Sequence, residues 1–169
     1  MPEPGAARSF DGGLSAGDRS VLRMTSTPDI TAITLGVRDV ERSRRFYVDG
    51  LGFRQVLEIP GDIAFVQCAP GQLLALWDVE QMPTEYGDVG HGPAAPPVSL
   101  GHNVDSPERV RELYAAALAA GATTVTEPAE REWGGVSACV ADPDGFRWDL
   151  VWNPNFRVDP DGTVHLGDA

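Results

Sequence analysis

Residues 141 to 150, ADPDGFRWDL, read as a tight turn entering a strand on which Arg147 and Asp149 share one face, because side chains alternate along an extended chain. A lone inward carboxylate such as Asp149 can ligate a divalent metal, act as a general base, or contact a polar ligand. Metal ligation needs further donors, and the three histidines supply them poorly. On VSLGHNV, His102 shares its parity with Val98, Leu100 and Val104, the better core set, so it is expected in the core or hydrogen-bonded there. His91 lies in a Gly-rich loop and His165 in the C-terminal tail. Cys68 and Cys139 sit far apart in short apolar runs, with no CxxC or Cys/His cluster, and read as reduced thiols. Neither G-x-G-x-x-G nor a P-loop is present, which removes the common nucleotide-binding readings.

Composition narrows the partners. The 169 residues, 42% of them hydrophobic, suffice for one core. Lys and Arg number 13 against 25 Asp and Glu, a net charge of −12 that repels phosphate backbones and anionic lipid; no nucleic acid and no membrane partner is expected. Residues 1–28, rich in Gly, Pro, Ser and charge, contain no apolar signal core, so a flexible N-terminal extension and a cytoplasmic location are expected.

The elements that must position Asp149 form a repeat. ITAITLGV is a β-branched strand, Asp39 an N-cap, and VERSRRFYVDG a short helix near residues 40 to 49. VSLGHNV is a second such strand; Ser106-Pro107 caps a helix over 107–120 whose apolar residues Val110, Leu113, Tyr114, Ala117 and Leu118 follow helical spacing. Val37 to Val104 and Tyr47 to Tyr114 each span 67 residues (104 − 37, 114 − 47), and Gly71 to Gly145 spans 74 (145 − 71). Each half therefore reads strand, helix, then three short strands.

This duplicated βαβββ pattern, carried by LGVRDVERSRRFYVDGLGF at 35–53 and WGGVSACVADPDGFRWDLVWNP at 133–154, resembles the vicinal oxygen chelate superfamily of glyoxalases, extradiol dioxygenases and bleomycin-resistance proteins. The resemblance implies an α+β fold of two βαβββ modules in tandem, mixed curved sheets forming a cup with helices outside. One domain over 29–156, with modules about 29–82 and 97–156, would be followed by a tail at 157–169. Metal-dependent members hold one divalent ion on the first and last strands of each module; the repeat puts those positions at Ala32, Ser99, Ala75 and Asp149. Alanine has no donor and a neutral serine hydroxyl is a poor one, so no metal residue and no cofactor are expected, Asp149 pairing instead with Arg147. The alternative is a single divalent ion, rescued by His102 or His91.

The function implied is metal-independent small-molecule binding, of the glyoxalase/bleomycin-resistance type. The cup would be floored by small Ala32, Gly36, Ala75 and Gly101, walled by Trp77 and Trp133, with Thr34, Asn103, Arg147 and Asp149 as polar contacts. The alternative is a glyoxalase-like lyase or isomerase, or a dioxygenase-related activity, with Asp149 as catalytic base or metal ligand. Both modules being present, a cup can close within one chain, although the resemblance also implies a homodimer. Deleting residues 1–23 should leave the melting temperature nearly unchanged in a thermal melt, since that composition buries little apolar surface to offset ordering entropy.

Overall fold

The computed structural model of the chain describes residues 30–167 except His91 and Pro93; the N-terminal extension at 1–28 and His91 lie outside the described residues. Strand β1 (Ala32–Val37) buries its C-terminal half and hands over to Asp39, whose carboxylate accepts from the Arg42 amide at 2.9 Å and opens α1 (Val40–Arg44). The helix continues as a π-helical segment, Arg45–Gly50, which carries the buried Phe46 and Tyr47. Strands β2 (Arg54–Ile59), β3 (Ile63–Ala69) and β4 (Gln72–Asp78) follow, and the sheet order is β1-β4-β3-β2, with β1 and β4 parallel.

The second half repeats this plan. Strand β5 (Ser99–Asn103) leads, after a segment that carries the short α2 (Pro83–Tyr86), to α3 (Pro107–Ala119), whose cap is Ser106 accepting from the Arg109 amide at 3.2 Å. Strands β6 (Thr123–Glu130), β7 (Val136–Ala141) and β8 (Arg147–Trp152) complete a sheet of order β5-β8-β7-β6, with β5 and β8 parallel. Registers agree as well: Thr34 lies beside Ala75 and Gly101 beside Asp149, again offsets of 67 (101 − 34) and 74 (149 − 75). The chain is an α+β protein of two tandem βαβββ modules, each an open four-stranded sheet. Two elements carried no clear sequence signal: α2, in what reads as a linker, and a hairpin of β9 (Phe156–Val158) and β10 (Val164–Leu166) in the tail. In that hairpin His165 Nε2 lies 2.7 Å from Asp159 Oδ2.

The modules meet on their helix sides. Leu35, Val37, Val66, Leu74 and Leu76 of the first sheet share a core with Phe46, Tyr47, Ala117, Val140, Phe146 and Trp148. The rings of Tyr47, Phe53 and Trp148 lie 5.9 Å apart by centroid. Against this apolar layer sit two buried acids from the turn before β8. Asp142 accepts from Tyr47 Oη at 2.5 Å and from the Asp144 and Phe146 amides at 2.9 Å, while Trp148 Nε1 donates to Tyr47 Oη at 3.1 Å. Asp144 accepts from the Arg38 amide at 2.9 Å, Arg42 Nη2 at 2.7 Å and Ser43 Oγ at 2.6 Å.

Replacing Asp144 by Ala strands the Ser43 hydroxyl, the Arg38 amide and the Arg42 guanidinium, and should lower the unfolding free energy by about 2–4 kcal/mol in urea denaturation. Asp142 should mark the pH profile. Burial raises its carboxyl above the ordinary 3.8, and the bonds from Tyr47 and the two amides offset this only in part. A carboxyl with a raised folded-state pKa holds its proton more tightly when folded, so its contribution is fully present below the unfolded value and is lost as pH rises through the folded one. Relative to Asp142→Asn, the wild type should lose stability as pH climbs from 3.8; parallel stability–pH curves for the two would contradict this.

Candidate functional site

With one face of each sheet packed on helices, the other face is the candidate ligand face. In the first module period-two alternation gives that face Thr34 and Gly36 of β1, Leu73, Ala75 and Trp77 of β4, and Ile63, Phe65 and Gln67 of β3. In the second it gives Ser99, Gly101 and Asn103 of β5, Arg147, Asp149 and Val151 of β8, and Ser137 and Cys139 of β7. Equivalent centres follow from the register. Thr34, Ala75 and Phe65 stand in the first module where Gly101, Asp149 and Cys139 stand in the second.

Those centres differ in chemistry. Ala75 is 2% exposed and contributes a methyl group; Asp149 is half-buried and contributes a carboxylate. Burial first, then the adjacent Asp149 carboxylate, pushes the Cys139 thiol up, which favours its protonated form at neutral pH. Above Gly101 there is open space, with no atom within 4 Å of where a Cβ would stand. Gly36 is the opposite case: a Cβ there would meet Met82 Sδ at 2.5 Å and Val79 Cγ2 at 3.2 Å. The room expected at Gly36 is therefore filled, because α2 and the residue before it fold back over the end of β1.

The sequence-derived candidates are spread out. Trp77 is a fixed wall: its Nε1 donates to Asp62 Oδ1 at 2.9 Å and its ring meets Tyr86 edge-on, centroids 5.5 Å apart. Trp133, 48% exposed, lies against Gly135 in the β6–β7 turn. Asn103 lines a cavity of about 410 Å³ with Val104, Asp105, Arg109 and Phe156. Arg147 lines another, of about 1190 Å³, between α1, the end of α3 and the turn at 142–146. Neither cavity touches Thr34, Trp77, Trp133 or Asp149.

Two expectations need correction. Arg147 and Asp149 form no ion pair within 4.0 Å. Neighbours two apart on a strand are separated by ~6.5 Å and stand roughly parallel, so the long guanidinium reaches the inter-module cavity instead. His102, on the helix-facing side as expected, is exposed rather than core, since β5 is an edge strand; partial desolvation of its ring and then the Arg109 charge lower its pKa. Two polar groups went unread. Arg54 Nε donates to Gln67 Oε1 at 3.0 Å, and Arg131 donates to Ser137 Oγ at 2.8 Å and its carbonyl at 3.1 Å. Polar Gln67 and Ser137 at ligand-face parity in otherwise apolar strands were the available signal.

Residues 29–150 match the family model of the Glyoxalase/Bleomycin resistance protein/Dioxygenase superfamily. The chain belongs to that superfamily. A glyoxalase-related enzyme from Fulvimarina pelagi is 33% identical, with a TM-score of 0.74 over 84% of this chain and 100% of its own. A glyoxalase/bleomycin resistance protein/dioxygenase from Nocardioides is 27% identical, with a TM-score of 0.64 over 77% of this chain and 86% of its own. A lactoylglutathione lyase from Agrobacterium tumefaciens, 21% identical with a TM-score of 0.59 over 75% of this chain and 95% of its own, shares the fold. No curated protein matches the chain. The superfamily's metal-dependent branch calls for a divalent ion, and the donor set here does not fit one. Ala75 is a buried methyl group where a donor is required, Ala32 has no donor, and among the described residues no three His, Cys, Asp or Glu converge.

Gly36 tests the closure by Met82. Gly36→Ala should cost about 1 kcal/mol by thermal denaturation, and Gly36→Ala with Met82→Ala should recover part of that loss. Additive costs in the double variant would show that the two positions do not meet.

Proposed function

We propose that the chain is a metal-independent binding protein of the glyoxalase/bleomycin-resistance type, whose ligand is a small molecule with an apolar ring and one polar group. The reading is carried by the unequal centres: Phe65 and Ala75 in the first module against Asp149 and open space over Gly101 in the second. An apolar body would lie on Phe65 and Leu73 with Trp77 as wall, and its polar group would meet Asp149, with Thr34, Arg54 and Arg131 as further contacts. Asn103 and Trp133 are assigned to the outer rim of the second face.

Closure comes from a second copy of the chain. The two sheets share no strand pairing, and Leu57 and Ile59 on the ligand face of β2 stay 53% and 49% exposed, more apolar surface than an edge strand ordinarily shows to water. Covering that face with the second module of a partner would bury it and bring the unequal centres together. The protein acts in the cytoplasm. In the second reading Asp149 is the general base of a lyase or isomerase, favoured by the open space over Gly101 that would admit a substrate carbon.

Three measurements test this. Native mass spectrometry should report a dimer without bound metal. EDTA should leave the melting temperature of wild type and Asp149→Ala unchanged, and Asp149→Ala should cost no more than ~1 kcal/mol; a chelator-dependent shift in the wild type that the variant lacks would restore a metal site. A thermal-shift screen of planar aromatic acids, amines and phenols should yield stabilising compounds. Gly101→Leu, which fills open space on an exposed strand, should remain folded and lose that response.

A further inference from the structure

Arginine supplies every cation of this chain: there is no lysine, and the 13 basic residues are all Arg. Four of the ten described are neutralised by a nearby acid. Arg44 pairs with Glu41 at 2.8 Å, Arg109 with Glu112 at 2.9 Å, Arg111 with Glu108 at 3.6 Å and Arg157 with Asp159 at 2.6 Å. Four others, Arg38, Arg42, Arg45 and Arg147, converge on the walls of the cavity of about 1190 Å³ between the modules. Gathering them in a chain of net charge −12 opposes the field of the whole molecule.

Arg45 pairs with Glu41 at 3.5 Å, but partners do not account for the other three. Among the described residues the Arg38 and Arg147 side chains make neither an ion pair within 4.0 Å nor a hydrogen bond. Arg42 is held by Asp144 through Nη2, yet its Nε is buried and has no partner. Of the acids in the same wall, Asp144 and Asp142 spend their oxygens on Ser43, Tyr47 and main-chain amides, and Asp49 lies 3.4 Å from Arg44. Acceptors for Arg38, Arg147 and the free Nε of Arg42 must come from outside the described residues. Thr123 adds a hydroxyl to the rim, and a guanidinium matches the paired oxygens of a carboxylate or phosphate.

We infer that this cavity is an anion site, separate from the sheet faces, that takes a small molecule bearing a phosphate or carboxylate group between Arg38, Arg42 and Arg147. It joins the two modules, since Arg38 and Arg42 belong to the first and Arg147 to the second. A bound anion therefore bridges them and stabilises the folded chain by mass action. The site does not rest on the ligand reading of the sheet faces and survives its failure.

The test is a titration of the full chain with inorganic phosphate and, separately, with succinate, at constant ionic strength held by sodium chloride, read as melting temperature. A saturable rise with either anion is expected: phosphate alone assigns a phosphate ligand, succinate alone a carboxylate. Arg38→Gln and Arg147→Gln, which leave the Asp144 pair intact, should each weaken the response at least about tenfold. Wild-type protein should also be footprinted with phenylglyoxal, so that the result stands if a variant does not fold; the anion should protect Arg38 and Arg147 and leave Arg109 and Arg157 reactive. A response no larger than that to chloride, or equal protection of all four arginines, would overturn the inference.

Discussion

Two aspartates in one buried turn hold the halves of this protein in their relative position. Asp142 and Asp144 lie in the second module, but their side-chain partners, Tyr47, Ser43 and Arg42, belong to the first. Burying a carboxylate is costly unless every lone pair is met, and here the turn meets them from both directions: the amides of Asp144 and Phe146 bind Asp142 from within, while the first helix supplies hydroxyls and a guanidinium from across. Directional bonds fix what an apolar core alone leaves loose. The rings of Tyr47, Phe53 and Trp148 provide burial, whereas the acids select the one rotation of helix against turn in which all their bonds close.

The same contact explains why the opposite faces are available. Because the modules are joined through their helix sides, neither sheet covers the ligand face of the other. An ion pair or core cluster on those faces would have closed them; instead they carry Gly101, Ala75 and a few polar groups tied to neighbouring strands. The tie matters for Arg54 and Arg131. Anchored to Gln67 and Ser137, they would lose little further side-chain freedom in meeting the proposed ligand.

Topology was legible because it depends on local rules repeated twice. N-caps at Asp39 and Ser106, helical spacing after them, and the offsets of 67 and 74 are properties of short segments, and the pairing Gly101–Asp149 follows from them. The site was legible only as parity. Alternation placed Asp149, Thr34 and Trp77 on the ligand faces, yet it says nothing of what folds over them, so Met82 above Gly36 and Tyr86 beside Trp77 went unread. Those contacts come from α2 and the residue before it, whose sequence reads as a linker. Nor does parity set where a long side chain ends. Arg147 and Asp149 share a face but not a contact, since a guanidinium several bonds from its Cα follows the nearest unfilled space rather than its strand neighbour.

Duplication gives the two halves one register and leaves their chemistry free to diverge. If both faced a single ion, the four equivalent positions would be constrained together, each to a donor. With Ala32 and Ala75 at two of them that constraint is gone, and each face is shaped by its own neighbours. The first is apolar around Phe65, Leu73 and Ala75; the second carries a carboxylate at Asp149 and a protonated thiol at Cys139. The fold survives because its stability resides on the other side of each sheet, in the helix-facing core and the Asp142–Asp144 turn, which the ligand faces do not touch. The candidate ligand faces and the folding core are thereby opposite surfaces of the same strands, and substitutions on one face leave the other in place.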